Sequence, residues 1–323
     1  MERNRNGRRK MRIAVLGSYG VGLTMRVPRA PQAGETVDGG EFSEEHGGKG
    51  SNQAVAAARL GADVCFLTAV GDDHYGRAAF ELWEREGVDA SHVAVQNLPT
   101  MVGFITVEPS GENRISISPG ALSSITPEFV ETFADQIARA DTVLVSMEIP
   151  EGAVLKALEI GRGSEVRTFL NPAPARYLPD WVWDCIDVLT PNETEAPVLL
   201  GLPPGHGLPV ATLARMLQAR TRAGCVALTR GKDGAVLVNR LAELRSVPSV
   251  PAKPVDTTGA GDSYTAALAV GMSEGLPFEV AARIAAAAGA HTVRRAGVVP
   301  ALPFRGEIRE FSALHHSTKR TDP

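Results

Sequence analysis

The chain is poor in cysteine and in aromatic residues, and no apolar run in it is long enough to cross a bilayer. Among 323 residues there are 3 cysteines, and aromatics make up 5%. Cys65, Cys185 and Cys225 are odd in number and form no CxxC pair. Each lies in or beside an apolar stretch (DVCFL, WDCID, AGCVAL). They read as core thiols in a reducing compartment, not as metal ligands or a redox couple. The 7 histidines include no HExxH, and His315 and His316 fall in a polar tail, so a structural metal is not expected. AALAVGM and IAAAAGA fall short of the roughly 18 residues a membrane helix needs. A formal net charge of −4 argues against a global basic field for nucleic acid. Residues 1–10 are locally basic but lack the apolar centre of a secretory signal and read as a frayed tail; residues 311–323 read as a second polar tail. The 44% apolar and 22% charged residues suit a globular cytoplasmic enzyme with no membrane or nucleic-acid partner.

Short apolar runs alternate with Ala-rich helical patterns. RIAVLGS, VCFLTAVG, DTVLVSM, RTFLNPA, IDVLTPN and CVALTRG read as strands. SNQAVAAARLGA, YGRAAFELWEREG (with Ala78, Leu82 and Trp83 at helical spacing), EGAVLKALEIGR, ATLARMLQARTRAG, GDSYTAALAVGMSEG and FEVAARIAAAAGAHTVRR read as helices. Fully apolar strands separated by helices predict a mainly parallel sheet covered on both faces. Two segments break the rhythm. MVGFITVEPSGENRISIS alternates on either side of a turn cluster and predicts a hairpin. Residues 23–46 are punctuated by Pro and Gly and fit short strands. The two, about 20–46 and 99–119, are expected to form a small β-sheet lid on one α/β domain spanning 11–310.

Three glycine loops stand out. GSYGVG (17–22) fails as a dinucleotide box, because prolines follow where a helix should open; it reads as a tight strand exit. HGGKGSNQ (46–53) is not a Walker A loop, since Lys49 is followed by Gly50. It still offers an ammonium and an amide, Asn52, at a helix start; a solvated surface lysine is the alternative for Lys49. DTTGAGD (256–262) is the strongest. Gly259, Ala260 and Gly261 let a ligand approach the backbone where N–H groups favour anions. Asp262 in the first turn either complements the helix dipole or accepts a proton beside an anion hole.

At this point the chain resembles the ribokinase (PfkB) family of carbohydrate kinases, from about residue 12 to about 310. The likeness is carried by AGETV (33–37), GGKGSNQAVAAARLGA (47–62), VGDDHYG (70–76), NPAPA (171–175), TPNETEA (190–196), LTRGKDGA (228–235) and DTTGAGD, in the family's order. The resemblance implies a three-layer α/β/α sandwich with a β-lid. It implies ATP-dependent phosphorylation of a primary hydroxyl of a small sugar, with ribose the first candidate. Asp262 would be the catalytic base, and Gly259, Ala260 and Gly261 the anion hole. Asn192 and Glu195 would face the phosphates and hydrated Mg²⁺. Thr229, Gly231, Lys232, Asp233 and Gly234 would line the ATP. Gly48, Lys49, Asn52 and Glu148 would contact the sugar. Asp256 and the carbonyl of Thr258, with carbonyls of Thr292, Arg295 and Gly297, would hold a monovalent cation, K⁺. Family members often form homodimers through their lids. For Glu148, capping of the following helix is an alternative role. Asn192 and Glu195 also fit a helix-start capping pattern, which is compatible with ligand binding.

Two departures matter. Where family members acting on ribose carry an Asn and an Asp that hold sugar hydroxyls, this chain has Gly20 and Gly22. Tyr19, Thr24, Arg26 or a lid residue would then have to supply replacement contacts, or the acceptor is larger or differently substituted. The second departure is Ala301, where the family offers a serine near the cation. Other acceptors in play are another pentose, a ketohexose, a sugar acid, or a nucleoside stacked on Tyr19 or Phe42. The rival from another class is a non-catalytic sugar- or nucleotide-binding protein.

Overall fold

The computed structural model describes residues 10–221 and 224–309; most of both predicted tails, including His315 and His316, lies outside the described residues. In chain order the strands are β1 (Arg12–Leu16), β2 (Gly20–Arg26), β3 (Glu41–Gly47), β4 (Asp63–Leu67), β5 (Ala69–Gly71), β6 (Ala94–Gln96), β7 (Met101–Val107), β8 (Asn113–Ser118), β9 (Thr142–Ser146), β10 (Arg167–Asn171), β11 (Val188–Leu189), β12 (Cys225–Thr229), β13 (Ala235–Val238) and β14 (Leu244–Val247). The helices are α1 (Lys49–Arg59), α2 (His74–Glu86), α3 (Pro127–Glu131), α4 (Ala134–Ala138), α5 (Glu151–Gly163), α6 (Glu195–Leu199), α7 (Val210–Arg220), α8 (Ala260–Ser273) and α9 (Phe278–Thr292).

The main sheet has eight strands in the order β14-β13-β12-β11-β10-β9-β1-β4. From β4 to β12 every pairing is parallel. β13 and β14 add an antiparallel edge that the apolar-run pattern did not mark. One core packs α1, α2, α8 and α9 on one face, with Trp83, Phe66 and Leu268 fully buried. The other packs α3, α5 and α7 on the opposite face, around Leu16, Val145 and Leu158. This is the expected three-layer sandwich, and it is why the strands read as unbroken apolar runs. No helix among the described residues is long and apolar enough to cross a membrane.

Four strands stand off the main sheet in the order β3-β2-β7-β8. They form the lid, with β2, β7 and β8 inside the segments expected for it and β3 running to Gly47, one residue past 46. Three local expectations are corrected. VCFLTAVG is not one strand: it breaks at Thr68, with β4 in the main sheet and β5 paired to β6 in a two-stranded sheet. Gly20 and Gly22 are not part of a tight exit but already belong to β2, where β3 and β7 hold them on either side. On α2 the buried face runs through Ala79, Leu82 and Trp83, and Ala78 is only half-buried. Cys65 and Cys225 are buried free thiols, whereas Cys185 is half-buried.

Candidate active site

The carboxyl ends of β1, β9, β10, β11 and β12 share one edge of the sheet, where parallel α/β folds collect their chemistry. Ser18 follows β1, Glu148 follows β9, Asn171 ends β10, Asn192 follows β11 and Thr229 ends β12. α8 points its first turn at this edge. Gly259, with φ 78°, starts the helix in the left-handed region, and a Cβ there would sit 2.6 Å from Val298 Cγ1. The Ser263 N–H takes the Gly259 carbonyl at 2.9 Å, and the Ala260 N–H takes the Thr257 carbonyl at 3.4 Å. Helix geometry leaves the N–H groups of Gly261 and Asp262 without an intrahelical acceptor. Gly261 is exposed, and a Cβ there would meet nothing within 4 Å, so the space over these donors is open.

Asp262 is buried, only 5% exposed. Its Oδ2 accepts from Asn52 Nδ2 at 2.9 Å and its Oδ1 from Gln53 Nε2 at 3.1 Å. Burial pushes the carboxyl pKa up; the Lys49 charge and the two amides oppose this without cancelling it, and Glu148 adds to the rise. Lys49 is no solvated surface lysine. Its ammonium lies in the field of Asp262, Glu148 and Glu195, which outweighs burial and raises its pKa. The backbone beside it is tightly packed. Gly48 has φ 90°, and a Cβ there would lie 2.7 Å from Tyr19 Cα and 2.8 Å from the Ser18 carbonyl oxygen. Glu148 accepts from Ser18 Oγ and from the Lys49 N–H at 2.9 Å. It therefore covers the start of α1; α5, the helix that follows it, begins without a side-chain cap. The fold thus brings Gly48, Lys49, Asn52, Glu148 and Asp262 together.

Asn192 and Glu195 form the reciprocal pattern expected of a helix start. Asn192 Oδ1 accepts the Glu195 N–H at 2.8 Å, and Glu195 Oε2 accepts the Asn192 N–H at 2.9 Å. Burial raises the Glu195 pKa, with the Asn192 N–H and Lys49 acting the other way. Thr229 joins this group through a bridge to Asn192 and an N–H bond of 2.9 Å to the Pro191 carbonyl. Gly231, Lys232 and Asp233 follow as an exposed turn. Gly234, φ 83°, lets the chain double back, since a Cβ there would lie 2.7 Å from the Ser249 nitrogen.

Asp256 ties two loops. It accepts from the Thr258 N–H at 2.9 Å and Oγ1 at 2.7 Å, and from the Gly297 N–H at 3.2 Å. Burial works against its charge, yet these bonds prevail and hold its pKa below the usual value. Thr292 is fully buried, and its carbonyl accepts the Arg295 N–H at 3.4 Å. The Arg295 side chain turns to Glu307 at 3.7 Å, and Ala301 is buried without a hydroxyl to offer.

The lid presents two unlike faces, because strand residues alternate. Gly20, Gly22, Thr24, Met101, Gly103, Ile105 and Glu45 share one face by register. That face looks toward the loop after α9, since a Cβ on Gly297 would lie 3.2 Å from Glu45 Oε2, and that loop is bonded to Asp256 before α8. Gly20 is needed there: a Cβ would lie 2.7 Å from the Met101 carbonyl oxygen. Gly22 has room, with Ile105 Cδ1 at 3.4 Å. Tyr19 supplies no replacement contact. It is fully buried edge-on to Trp83, and its hydroxyl meets His46 Nδ1 at 2.8 Å. Phe42 pairs with Met25 on the opposite lid face. Neither aromatic expected to stack a nucleobase is turned toward Asp262.

Gln53 escaped the motif reading. Lys49, Asn52 and Gln53 stand at i, i+3 and i+4, one face of α1, and a polar stripe on an otherwise Ala-rich helix was the available signal.

Residues 12–305 match the pfkB family carbohydrate kinase model. The chain is 38% identical to a ribokinase of Bacillus subtilis over 300 residues, covering 93% of this chain and 98% of that protein. It is 35% identical to a ribokinase of Haemophilus influenzae over 306 residues, 94% and 99% of the two chains. The Arabidopsis thaliana ribokinase complexed with ribose and ATP superposes with a TM-score of 0.86 at 30% identity, over 94% of this chain and 99% of that one. A nearly full-length family match, carried on a fold with the same layers and lid, establishes that this chain belongs to the pfkB family of carbohydrate kinases.

Proposed function

We propose that this protein transfers the γ-phosphoryl group of ATP to the primary hydroxyl of ribose, giving ribose 5-phosphate and ADP. The observation that carries the reading is the buried Asp262 carboxylate, held by two amides in the first turn of α8 beside open N–H groups. The similarity to ribokinases over nearly the whole chain supports ribose as acceptor.

In this reading the hydroxyl oxygen attacks the γ-phosphorus in line, its proton passes to Asp262, and the bond from the γ-phosphorus to the bridging oxygen breaks. In the Gly259–Ala260–Gly261 turn the open Gly261 N–H, with that of Asp262 beside it, holds the transferring charge, and Lys49 adds a positive field. Gly48, Lys49, Asn52 and Glu148 receive the sugar from the α1 side. Asn192, Glu195, Thr229 and the turn 231–234 receive ATP. Asn192 and Glu195 stand toward its phosphates and the Mg²⁺ they carry, and one or two carboxylates suffice for that ion. An all-oxygen set with one ionised carboxylate, Asp256, suits a monovalent cation. Thr258, Thr292, Arg295 and Gly297 would contribute carbonyls, and the ion would supply fixed positive charge behind the anion hole.

The lid's inner face is short of hydrogen-bonding side chains at Gly20 and Gly22. The lid therefore encloses the acceptor and excludes water, while α1 and α8 read its hydroxyls. Its outer face exposes Phe42 at 61%, Phe104 at 58% and Met25 at 41%, which favours a homodimer formed lid to lid. Three free thiols suit a reducing cytoplasm. The kinase domain spans residues 11–310.

The test is ATP consumption with Mg²⁺ and K⁺ across ribose, other pentoses, ketohexoses, sugar acids and nucleosides. Ribose should give the highest kcat/KM. A faster acceptor would reassign the substrate. Turnover of none would favour a binding protein.

A further inference from the structure

Gln53 is a buried polar side chain that the chemistry above leaves without a part. It lies on α1, fully enclosed between α8 and the end of β10. Its Nε2 is 3.1 Å from Asp262 Oδ1 and 3.1 Å from Asn171 Oδ1. An amide nitrogen carries two N–H groups, so it serves both acceptors at once; the flipped amide would set oxygen against a carboxylate. Asn171 is fixed in turn, its Nδ2 donating to the Thr190 carbonyl at 3.1 Å. Asp262 is thereby tied through Gln53 to the strand end that leads to Asn192. Asn52 grips the other carboxylate oxygen, so the carboxylate plane is set from both sides.

Asn52 Oδ1 and Gln53 Oε1 are buried and meet no hydrogen-bond partner among the described residues. Both amides have turned their N–H side to Asp262 and left their oxygens unpaired.

We propose that Gln53 is a positioning residue for phosphoryl transfer: it locks the Asp262 carboxylate against rotation and favours its charged form. This rests on Asp262 being the base. The other charged groups facing Asp262 are Lys49 from α1, which also favours the carboxylate, and Glu148 after β9 and Glu195 at α6, which oppose it.

The experiment measures kcat/KM for the preferred sugar against pH in the full-length protein, for wild type, Gln53→Met and Gln53→Glu. Met removes the donor and keeps the bulk; Glu keeps the shape and adds a carboxyl. Gln53→Met should lower kcat by about tenfold or more. Its KM for ATP should stay within about twofold. The acid limb should move to higher pH, and further in Gln53→Glu. A purely structural role would reduce the folded fraction and leave the limb in place. The carbon resonance of the Asp262 carboxyl, assigned through Asp262→Asn, gives the same midpoint without turnover. A midpoint unmoved in both variants overturns the proposal even if the kinase is active. A midpoint that moves in a protein phosphorylating no sugar supports the Gln53 contact and sinks the kinase reading alone.

Discussion

β9, beneath the site, buries all five of its residues, while β8, at the free edge of the lid, exposes all six. The two sheets differ in how far they are buried. The floor must hold a carboxylate, an ammonium and two amides in fixed relation, and close packing on both faces of the main sheet makes that arrangement rigid. The lid is a thin four-stranded sheet with large apolar side chains exposed on both faces, Phe42 and Phe104 on one and Ile115 and Ile117 on the other. In the proposed reading the floor carries the chemistry, and the lid encloses the acceptor and forms the dimer. Substitutions in the two regions should differ in kind as well as size.

The largest effect is expected in the floor. Asp262→Asn should lower kcat/KM by a factor on the order of 10²–10⁴ while calorimetry still detects ATP binding. A near-normal rate would remove Asp262 as the base. Its pH signature has a definite sign. The folded-state pKa is raised, so the wild-type rate should fall on acidification at a pH above the ordinary Asp range. The same shift makes the charged carboxylate a burden on folding, one that grows as pH rises from the unfolded to the folded pKa and is full above it. At neutral pH, Asp262→Asn should therefore leave the thermal midpoint unchanged or higher. A clear loss of stability would mean the carboxylate is structural.

A pair of glycines sharpens the contrast next. At Gly48, φ 90° and a Cβ 2.7 Å from Tyr19 Cα leave alanine no room, and Gly48→Ala should cost about 1–3 kcal/mol or more in urea unfolding. Gly22 in the lid has a nearest Cβ contact of 3.4 Å, and Gly22→Ala should change stability by about 0.5 kcal/mol or less. Equal costs would show that the lid is as closely packed as the floor.

The smallest effect on the rate is expected on the outer lid. Phe104 is 58% exposed, and Phe104→Ser should shift sedimentation toward the monomer with little change in kcat. An unchanged sedimentation coefficient from a wild-type monomer would sink the lid-to-lid dimer.

Much of this was legible in the chain itself. Apolar runs marked the parallel strands because burial on both faces removes the need for alternation. DTTGAGD announced itself because small residues before a helix have few other reasons to cluster. The split of VCFLTAVG was hidden: an apolar run shows that residues are buried, not which sheet buries them. The alternative role for Glu148, capping the helix that follows it, fails, because Glu148 serves a helix start 99 residues earlier, a pairing that no local pattern contains. Gln53 sat unnoticed beside Asn52 because its partners, Asp262 and Asn171, are 209 and 118 residues away.

The sequence by itself determined the layers and the presence of a small lid sheet, and it marked the loops to which the chemistry is assigned here. Those follow from hydrophobic period and backbone freedom, which are local properties. Tertiary structure alone decided which lid face turns inward, which oxygen of Asp262 each amide holds, and that Tyr19 packs in the core. Such choices depend on contacts between segments far apart in the chain, and only the closed fold brings their charges and hydrogen-bonding groups within reach of one another.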